Sequence, residues 1–552
     1  MIGQSRGNNG FASRREGGLC PLSLPALWLV VALLAVPVPG ATAPPDAKDA
    51  EGTVYRRPLS LEPATLDPAR IADIYGRSVA QQIFDGLVQY DHTLTIGPAL
   101  ARHWRASRDG RVWTFELRRG VKFHHGRELT SDDVVFSLTR LLDPRVKSSA
   151  AEVFANVKGA PEYRDGRARH VAGLVARDRY TVEIVLEEAL APFVSVLAMG
   201  HARIVPRDVV EREGDAFGAH PVGTGPFRFS RWDRGKEIVL AANADYFDGA
   251  PKLGGLVFRI FEGGRQDQMY DEFRRRALED TLIPPAEYRR AVADPGAVYV
   301  KRPMFSVRFY GLNVRAKPLS DRRVRRALNH AVNAEAIVGE AFHSRYVTAR
   351  GILPPGTLGF NPALRGHAYD PARARALLAE AGFPAGRGLA PIPIWSSVKN
   401  PGILKEHDMI RASLAEVGVK AEFQYQTDWP AYFKTVGEGK LPAFLWAWFA
   451  DAPDPDNFLF LLFHSKSPRN VTGYASPVVD RLVAQARRET DPGRRAGLYR
   501  QAEQLVVDDA VVIPIWHYTY ERLFQPYVKG IEVSGLGDSH IPFRKVWLED
   551  RR

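Results

Sequence analysis

The sequence predicts an α/β protein, because amphipathic helical segments alternate with short strand-like segments through its second half. The composition agrees with a folded chain, since 45% of the 552 residues are hydrophobic and 25% are charged. This length suits about two to four domains, and no internal repeat is evident. These observations exclude a mostly disordered chain and a polytopic membrane protein.

The N-terminal segment indicates that the protein is exported from the cytoplasm. Arg6, Arg14 and Arg15 precede an uninterrupted apolar run at 26–36, and small residues follow at 41–43. This order is typical of a secretory signal peptide, which we predict at residues 1–43, with cleavage after Gly40 as an alternative. The apolar run is shorter than the roughly 20 residues that a membrane span needs. A buried helix of the fold is the alternative interpretation.

The single cysteine and its position limit the kinds of cysteine-dependent site that the protein can contain. The single cysteine, Cys20, precedes the apolar run and therefore cannot carry the lipid of a lipoprotein. A chain cleaved after Ala43 has no cysteine, which excludes disulfides, thiolate catalysis and cysteine-ligated zinc. Residues 45–53, rich in Pro, Ala, Asp and Gly, are predicted to be a short tether.

The charge pattern argues against nucleic acid as a partner. The formal net charge is +12, but basic and acidic residues are interspersed without a basic block. A cationic, well-solvated surface explains this pattern better than a nucleic-acid site.

Helices and strands follow from hydrophobic periodicity. Alternating or short apolar runs predict strands at 112–117, 180–186, 227–229, 392–395, 420–425 and 511–516. Stripes of apolar residues predict helices at 130–142, 321–337, 370–381, 406–417 and 492–507. The helix at 130–142 has a cap at Thr130 or Ser131 and two acids, Asp132 and Asp133, in its first turn, where they suit the helix dipole.

Most motifs for catalysis or cofactor binding are absent or weak. Gly223 and Gly225 run into Pro226 without a following helix, so they do not predict a dinucleotide site. His124 and His125 would point to opposite faces of a strand, so a solvated turn is favoured over a metal site. No GxSxG or HExxH motif is present. We therefore expect no cofactor and no metal.

The segment at 446–458 carries the most information. It places Trp446 and Trp448 ahead of three acids, Asp451, Asp454 and Asp456. A carboxylate beside apolar walls interacts strongly with an ammonium group, as a free amino terminus would require. Three alternatives remain open from the residues alone: the tryptophans belong to the core, Asp454 or Asp456 caps the helix after Pro455, or paired acids are catalytic.

Many segments in order resemble the extracytoplasmic solute-binding proteins of family 5, the oligopeptide- and dipeptide-binding proteins of ABC transporters. The similar segments lie at 66–68, 83–88, 98–104, 109–126, 221–227, 243–247, 321–328 and 522–530.

The resemblance implies a two-lobed periplasmic-binding-protein fold of type II, with an extra domain inserted in the first lobe. Lobe I would comprise residues 54–87, 202–306 and 512–552, the inserted domain 88–201, and lobe II 307–511. It also implies a monomeric periplasmic receptor rather than an enzyme. Such a receptor encloses an extended peptide between its lobes, largely through main-chain hydrogen bonds, and delivers it to permease subunits in the inner membrane.

The resemblance also implies the site. Asp451 matches the aspartate that binds the peptide amino group, and Ala450 lies on the backbone beside the ligand. Trp429 and Trp448 match two pocket-lining tryptophans, and Trp446 and Phe449 flank them. Less directly, three further residues fall near ligand-contacting segments: Tyr75, Phe154 and Lys399.

One departure bears on the ligand. Dipeptide-binding members fix the ligand carboxylate with an arginine, whereas Lys399 is the nearest cation here and is one residue out of register. Lysine lacks the bidentate fork of arginine, so we expect oligopeptides rather than dipeptides of fixed length.

Two other functions remain open. The same family fold could bind an opine, a sugar or a nickel chelate. Outside the family, the chain could be a secreted carboxylate-dependent hydrolase that uses Asp454 and Asp456.

Overall fold

The computed structural model describes residues 53–549. The predicted signal peptide at 1–43 and Cys20 lie outside the described residues. Within them, every helix is too short or too polar to cross a lipid bilayer.

A mixed sheet near the start of the described chain is built from strands far apart in sequence. Its four strands, in spatial order, are Val54–Leu59, Gly255–Ile260, Glu237–Ala242 and Phe227–Asp233. The first pair is parallel and the other two pairs are antiparallel. A neighbouring antiparallel sheet has three strands, in the order Asp280–Thr281, Thr519–Phe524 and Val298–Pro303. The two sheets share a core of aromatic and aliphatic residues that includes Tyr55, Phe258 and Phe524.

An antiparallel sheet forms another core, drawn from residues between 69 and 204 together with Ala452. Its four strands, in spatial order, are Ala101–Ala106, Val112–Leu117, Thr181–Val185 and Leu174–Asp178. The helix Ser131–Leu142 buries Val134, Leu138 and Leu141 in this core. Its predicted cap is present, because Thr130 and Asp133 form a reciprocal capping box.

The largest sheet lies in the second half of the chain. Its six strands, in spatial order, are Val347–Thr348, Val512–His517, Ser306–Leu312, Ala443–Phe449, Ile392–Ser396 and Ala421–Tyr425. The last three strands are mutually parallel, and Ser306–Leu312 is antiparallel to both of its neighbours. Hydrophobic clusters cover both faces, as expected for buried parallel strands.

Helices surround these sheets, and two two-stranded ribbons complete the fold: Val88–Tyr90 with Ile96–Pro98, and Val528–Lys529 with Trp547–Leu548. The α-helices of the described chain before residue 300 are Ile74–Ile83, Ser131–Leu142, Ala160–Arg164, Phe193–Leu197, Arg207–Glu213, Gln266–Arg274 and Tyr288–Val292. Those after residue 300 are Arg322–Ala331, Ala334–Ala336, Pro371–Glu380, Pro401–Glu416, Trp429–Gly437, Asp456–Phe463, Pro477–Arg488 and Pro492–Asp508.

Two predicted helices have different bounds in the structure. The helix expected at 321–337 ends at Ala331, because Val332 adopts extended torsions and Asn333 caps a new turn. The helix expected at 406–417 begins earlier, at Pro401, because the Asn400 side chain accepts a hydrogen bond from the Ile403 amide at 3.0 Å. In both cases a polar cap, rather than the apolar stripe, marks the boundary at which a helical segment begins: Asn333 starts a new turn after the first helix has ended, and Asn400 starts the second helix.

The chain crosses twice between the three-stranded and six-stranded sheets. Only Met304 and Phe305 separate Val298–Pro303 from Ser306–Leu312, and only Tyr518 separates Val512–His517 from Thr519–Phe524. The strand Val512–His517 therefore pairs in the sheet of the second half, although the predicted division began lobe I at residue 512. The two crossings are joined, because the Met304 amide donates to the Tyr518 carbonyl at 2.9 Å.

Candidate ligand-binding site

The strand Ala443–Phe449 places the predicted acid beside these crossings. Phe449 is in register with Ser306, and the next amide, that of Ala450, donates to the Phe305 carbonyl at 2.8 Å. Asp451 thus follows directly after the end of a central strand. Because the strand that precedes Asp451 is hydrogen-bonded on both sides, the backbone position of Asp451 is well defined.

Asp451 lines a small enclosed cavity of about 30 Å³, which is room for about one water molecule. The lining comes from three distant parts of the chain: Ile74, Arg77 and Gly200; Met304, Phe305, Phe449, Ala450 and Asp451; and Gly535, Leu536, Ser539 and His540. Gly535 permits the close packing, since a Cβ there would lie 2.7 Å from the Phe305 ring. A larger cavity of about 270 Å³ shares His540 with this one, and another of about 530 Å³ lies elsewhere; the predicted site residues line neither of them.

The carboxylate of Asp451 is paired with an arginine. Arg77, on the helix Ile74–Ile83, donates a hydrogen bond from its Nη1 atom to Asp451 Oδ1. The side chains of Arg77 and Asp451 are 18% and 29% exposed. Burial alone would raise the pKa of Asp451, but the positive charge and hydrogen bond of Arg77, with further contributions that include the charge of Arg469, lower the pKa below its ordinary value. Asp451 is therefore ionised at neutral pH.

Two histidines near this pair are neutral. Burial, with the charges of Arg203 and Arg77, lowers the pKa of His540 to about 3. Burial likewise lowers the pKa of His201. Arg77 and Asp451 are therefore the ion pair in direct contact at the cavity, and Arg203 and Arg469 add positive charge nearby.

A hydrogen-bonded amide fixes the loop that carries Asp451. Asn457 Oδ1 accepts from the Trp448 indole Nε1 at 3.1 Å and lies 3.4 Å from the Asp451 amide nitrogen. Asn457 belongs to the helix Asp456–Phe463, so the strand, the loop and the helix are tied at one atom. This arrangement holds the acid in place without using its side chain.

The other two acids of the segment have structural partners. Both carboxylate oxygens of Asp454 accept from Arg495, at 2.8 and 2.6 Å, and its Oδ1 also accepts from the Asp456 amide at 2.9 Å. Asp456 lies 3.2 Å from both Arg487 and the Tyr499 hydroxyl. Pro455 occupies the N-cap position of the following helix, so neither Asp454 nor Asp456 is its N-cap residue. Both acids are therefore held by structural partners, and neither lines the cavity of Asp451.

The structure brings together Phe449, Ala450 and Asp451, but places several other predicted site residues elsewhere. Trp429 is 52% exposed and packs on Trp446, with 5.6 Å between ring centroids. Trp446 and Trp448 are buried in the core beside the six-stranded sheet.

The remaining three residues also lie outside the cavity lining. Lys399 is exposed, and its Nζ lies 5.1 Å from the centre of the Tyr425 ring. Phe154 is 1% exposed within the core between residues 69 and 204. Tyr75 is half-buried on the same helix as Arg77 and packs against the core of the first sheet.

Sequence reasoning missed Arg77 and His540. A signal for Arg77 exists, because it is the only charged residue in the ten-residue helix Ile74–Ile83. A lone charge on a largely buried helix requires a partner or a function. His540 offers no comparable local signal, since it lies in a short turn near the C-terminus.

Comparisons with known proteins agree with this geometry. Residues 95–470 match the model of the bacterial extracellular solute-binding proteins, family 5. The chain is 32% identical over 491 residues to the dipeptide-binding protein of Escherichia coli K12, covering 85% of this chain and 89% of that protein. It is 30% identical over 521 residues to heme-binding protein A of Haemophilus influenzae, covering 90% and 93%.

A solved structure shows the same architecture. An ABC transporter-associated periplasmic binding protein from Helicobacter pylori, in complex with the peptide STSA, superposes with a TM-score of 0.77 at 29% identity. The match covers 91% of this chain and all of that one.

The chain therefore belongs to the bacterial extracellular solute-binding proteins of family 5. The predicted family and the two-lobed α/β fold are confirmed. The protein is a periplasmic solute-binding component of an ABC importer and not an enzyme.

Proposed function

We propose that this protein captures peptides through their free amino terminus, with Asp451 as the anchor, and delivers them to the permease subunits of an ABC importer in the inner membrane. The names of its relatives support peptides as the solute, since they include dipeptide- and di/tripeptide-binding proteins.

The observation that carries this proposal is the position of Asp451. Its carboxylate is ionised, lies in an enclosed space and is flanked by the apolar groups of Phe305 and Phe449. A charge-assisted hydrogen bond to an ammonium group is strong where water is scarce.

Ligand entry requires movement. A cavity of about 30 Å³ is too small for a peptide, so the segments that carry Arg77 and Asp451 must move apart and close again around the solute. The ligand then favours the closed state through its contacts with both walls.

The proposal extends to processing and assembly. Residues 1–43 would be removed as a signal peptide, and the mature protein would act as a monomer without a lipid anchor, cofactor or nucleic acid. Lobe I would comprise 54–87, 202–306 and the C-terminal residues from the crossing at Tyr518 onward, and 88–201 would be the inserted domain. Lobe II would comprise 307–511 together with the strand Val512–His517.

A non-peptide solute is the second candidate, because one relative is named a heme-binding protein. Native mass spectrometry of the purified protein would distinguish the two candidates by the mass of any co-purified ligand.

Isothermal titration calorimetry with a library of short peptides and their N-acetylated counterparts tests the anchor. Losing one partner of a buried charge pair costs roughly 2–5 kcal/mol, which is about thirty-fold to several thousand-fold in affinity. We expect acetylation and Asp451→Asn each to weaken binding by such a factor. Asp408→Asn is the matched control, because Asp408 is 70% exposed on a distant helix. Equal affinity for free and acetylated peptides would contradict the proposal.

A further inference from the structure

Six arginines within residues 53–549 are buried, and one of them differs from the others. Five donate hydrogen bonds to carboxylates or to a main-chain carbonyl: Arg57, Arg308, Arg325, Arg495 and Arg522. The sixth, Arg203, is 8% exposed, yet its guanidinium makes no hydrogen bond or salt bridge within the described residues, and its Nε atom is buried. A buried charge without a partner is strongly unfavourable, so this arginine requires a counter-ion.

The acid that attracts Arg203 is already engaged elsewhere. Asp85 Oδ2 accepts from the Thr224 hydroxyl at 2.8 Å, and its Oδ1 accepts from the Tyr246 hydroxyl at 2.9 Å. Burial lowers the pKa of Arg203 below its ordinary value, and the charge of Asp85 only partly offsets this effect. Asp85 therefore attracts the guanidinium from a distance without forming a salt bridge with it.

Arg203 lines the cavity of about 270 Å³, which is room for several water molecules or for a small polyatomic anion. The walls come from the helix Ile74–Ile83, from the ribbon of Val88–Tyr90 with Ile96–Pro98, and from the C-terminal segment at 532–545. The unpaired guanidinium thus borders a space that a ligand can occupy.

The other charged groups of this lining have direct partners. Arg544 forms a salt bridge with Asp248 at 2.5 Å, and Lys545 forms one with Glu532 at 2.9 Å. The carboxylate of Asp91 accepts hydrogen bonds from two amides of its own turn, at 2.8 and 2.9 Å. Among the charged lining residues of the described chain, the buried arginine alone lacks such a contact.

We propose that this cavity is a second binding site, which takes a small oxyanion, with two oxygens on one carbon or phosphorus atom, on the guanidinium of Arg203. The planar guanidinium can donate two parallel hydrogen bonds to the oxygens of a carboxylate or a phosphate. The anion supplies the counter-charge that the described chain does not. The site is distinct from the anchor at Asp451, although His540 lines both cavities, so this inference goes beyond peptide capture and does not depend on it.

Melting curves and calorimetry in matched salts test the inference. The purified protein is compared in sodium phosphate, sodium acetate and sodium chloride at equal ionic strength and neutral pH. An anion that binds only the folded state raises the melting temperature, so we expect phosphate or acetate to raise it above its value in chloride. Calorimetry then ranks the two oxyanions: tighter binding of phosphate identifies a phosphoryl group as the ligand, and tighter binding of acetate identifies a carboxylate.

Phosphate also stabilises proteins without binding to a site, so the shift must be compared between variants. Arg203→Gln should weaken the oxyanion at least about thirty-fold and reduce the shift to its non-specific level. Because this change removes an uncompensated buried charge, the variant should melt no lower than the parent protein in chloride. Arg203→Lys keeps the charge without the fork and should retain only part of the affinity.

Two control variants locate the anion. Arg102→Gln removes an exposed arginine and should keep the full shift. Arg77→Gln removes the arginine of the smaller cavity and should also keep it.

Three results would overturn the inference. Equal shifts in the parent protein and in Arg203→Gln would mean that the oxyanion does not bind at Arg203. Loss of the shift in Arg77→Gln would place the anion in the cavity of Asp451. Weaker peptide binding by Arg203→Gln, with no oxyanion bound by the parent protein, would assign the larger cavity to the peptide. None of these results removes the amino-terminal anchor, which Asp451→Asn and acetylated peptides test separately.

Discussion

Asp451 and Asp454 lie in the same short loop, yet their carboxylates have different surroundings. Asp454 is 8% exposed and makes a two-point contact with the buried Arg495. The side chain of Asp451 is 29% exposed and touches Arg77 across a cavity. Both acids are paired with an arginine, so the two differ in their surroundings: Asp454 is enclosed with Arg495, whereas Asp451 borders a cavity.

The largest effect on stability should follow Asp454→Asn. This change keeps the shape of the side chain but leaves the Arg495 guanidinium buried without its counter-ion, which costs about 3–5 kcal/mol. Urea unfolding followed by circular dichroism measures the free energy of unfolding. A loss below about 1 kcal/mol would remove the distinction drawn between the two acids.

A third acid, Glu503, shows how burial changes the pKa of a carboxyl group whose hydrogen bonds come from backbone amides rather than from an arginine. Glu503 is 1% exposed and, within residues 53–549, accepts hydrogen bonds only from the Ile352 and Leu353 amides, both at 2.8 Å. Burial raises its pKa from 4.5 to about 7. The folded state therefore binds this proton more tightly than the unfolded state, and the stability that it provides is lost as pH rises from 4.5 to about 7.

Glu503→Gln should remove that pH dependence. The change in pKa corresponds to roughly 3 kcal/mol, so the variant should be more stable than the parent protein at pH 8 by about that amount. Unfolding free energies measured across this pH range provide the test. Asp508→Asn, on the exposed side of the same helix, is the control and should leave the profile unchanged.

An intermediate effect should follow Trp448→Phe, which removes the indole hydrogen bond to Asn457. A lost hydrogen bond and a smaller ring together cost about 1–2 kcal/mol. Because Asn457 also lies beside the Asp451 amide, the variant should weaken ligand binding modestly. Unfolding experiments and calorimetry on the same preparation would measure both effects. If neither the free energy of unfolding nor the ligand affinity changed, Asn457 would not be what holds the strand, the loop and the helix together.

The smallest effect on stability should follow Asp451→Asn. Its pair with Arg77 is partly exposed, and such pairs contribute about 0–1 kcal/mol. We therefore expect nearly unchanged unfolding, in contrast to Asp454→Asn. A loss as large as that of Asp454→Asn would mean that both acids are structural.

Local patterns predicted the elements well where apolar periodicity and caps coincide. The strand at 112–117 and the helix that begins after Thr130 are present with the same bounds or shifted by one residue. Bounds moved where a polar residue competed with the apolar stripe, as Asn333 and Asn400 show. Periodicity measures burial, whereas hydrogen bonds at the caps fix the ends.

The site could be predicted only in part. The segment around Asp451 is continuous in sequence, so its residues could be recognised together. The pairing of Asp451 with Arg77 could not, because a contact between residues 374 positions apart depends on the packing of the whole chain. Trp429 and Phe154 show the converse, since side chains suited to a pocket also suit a surface stack or a core.

The two crossings between sheets have a mechanical consequence. Met304, Phe305 and Tyr518 are the only residues between the paired strands, so a change in a few backbone torsions can rotate one sheet relative to the other without breaking hydrogen bonds within either sheet. Met304 and Phe305 also line the cavity of Asp451. The crossings and the charged pair are therefore neighbours, so a solute bound at Asp451 would contact the same segment about which the two sheets would rotate.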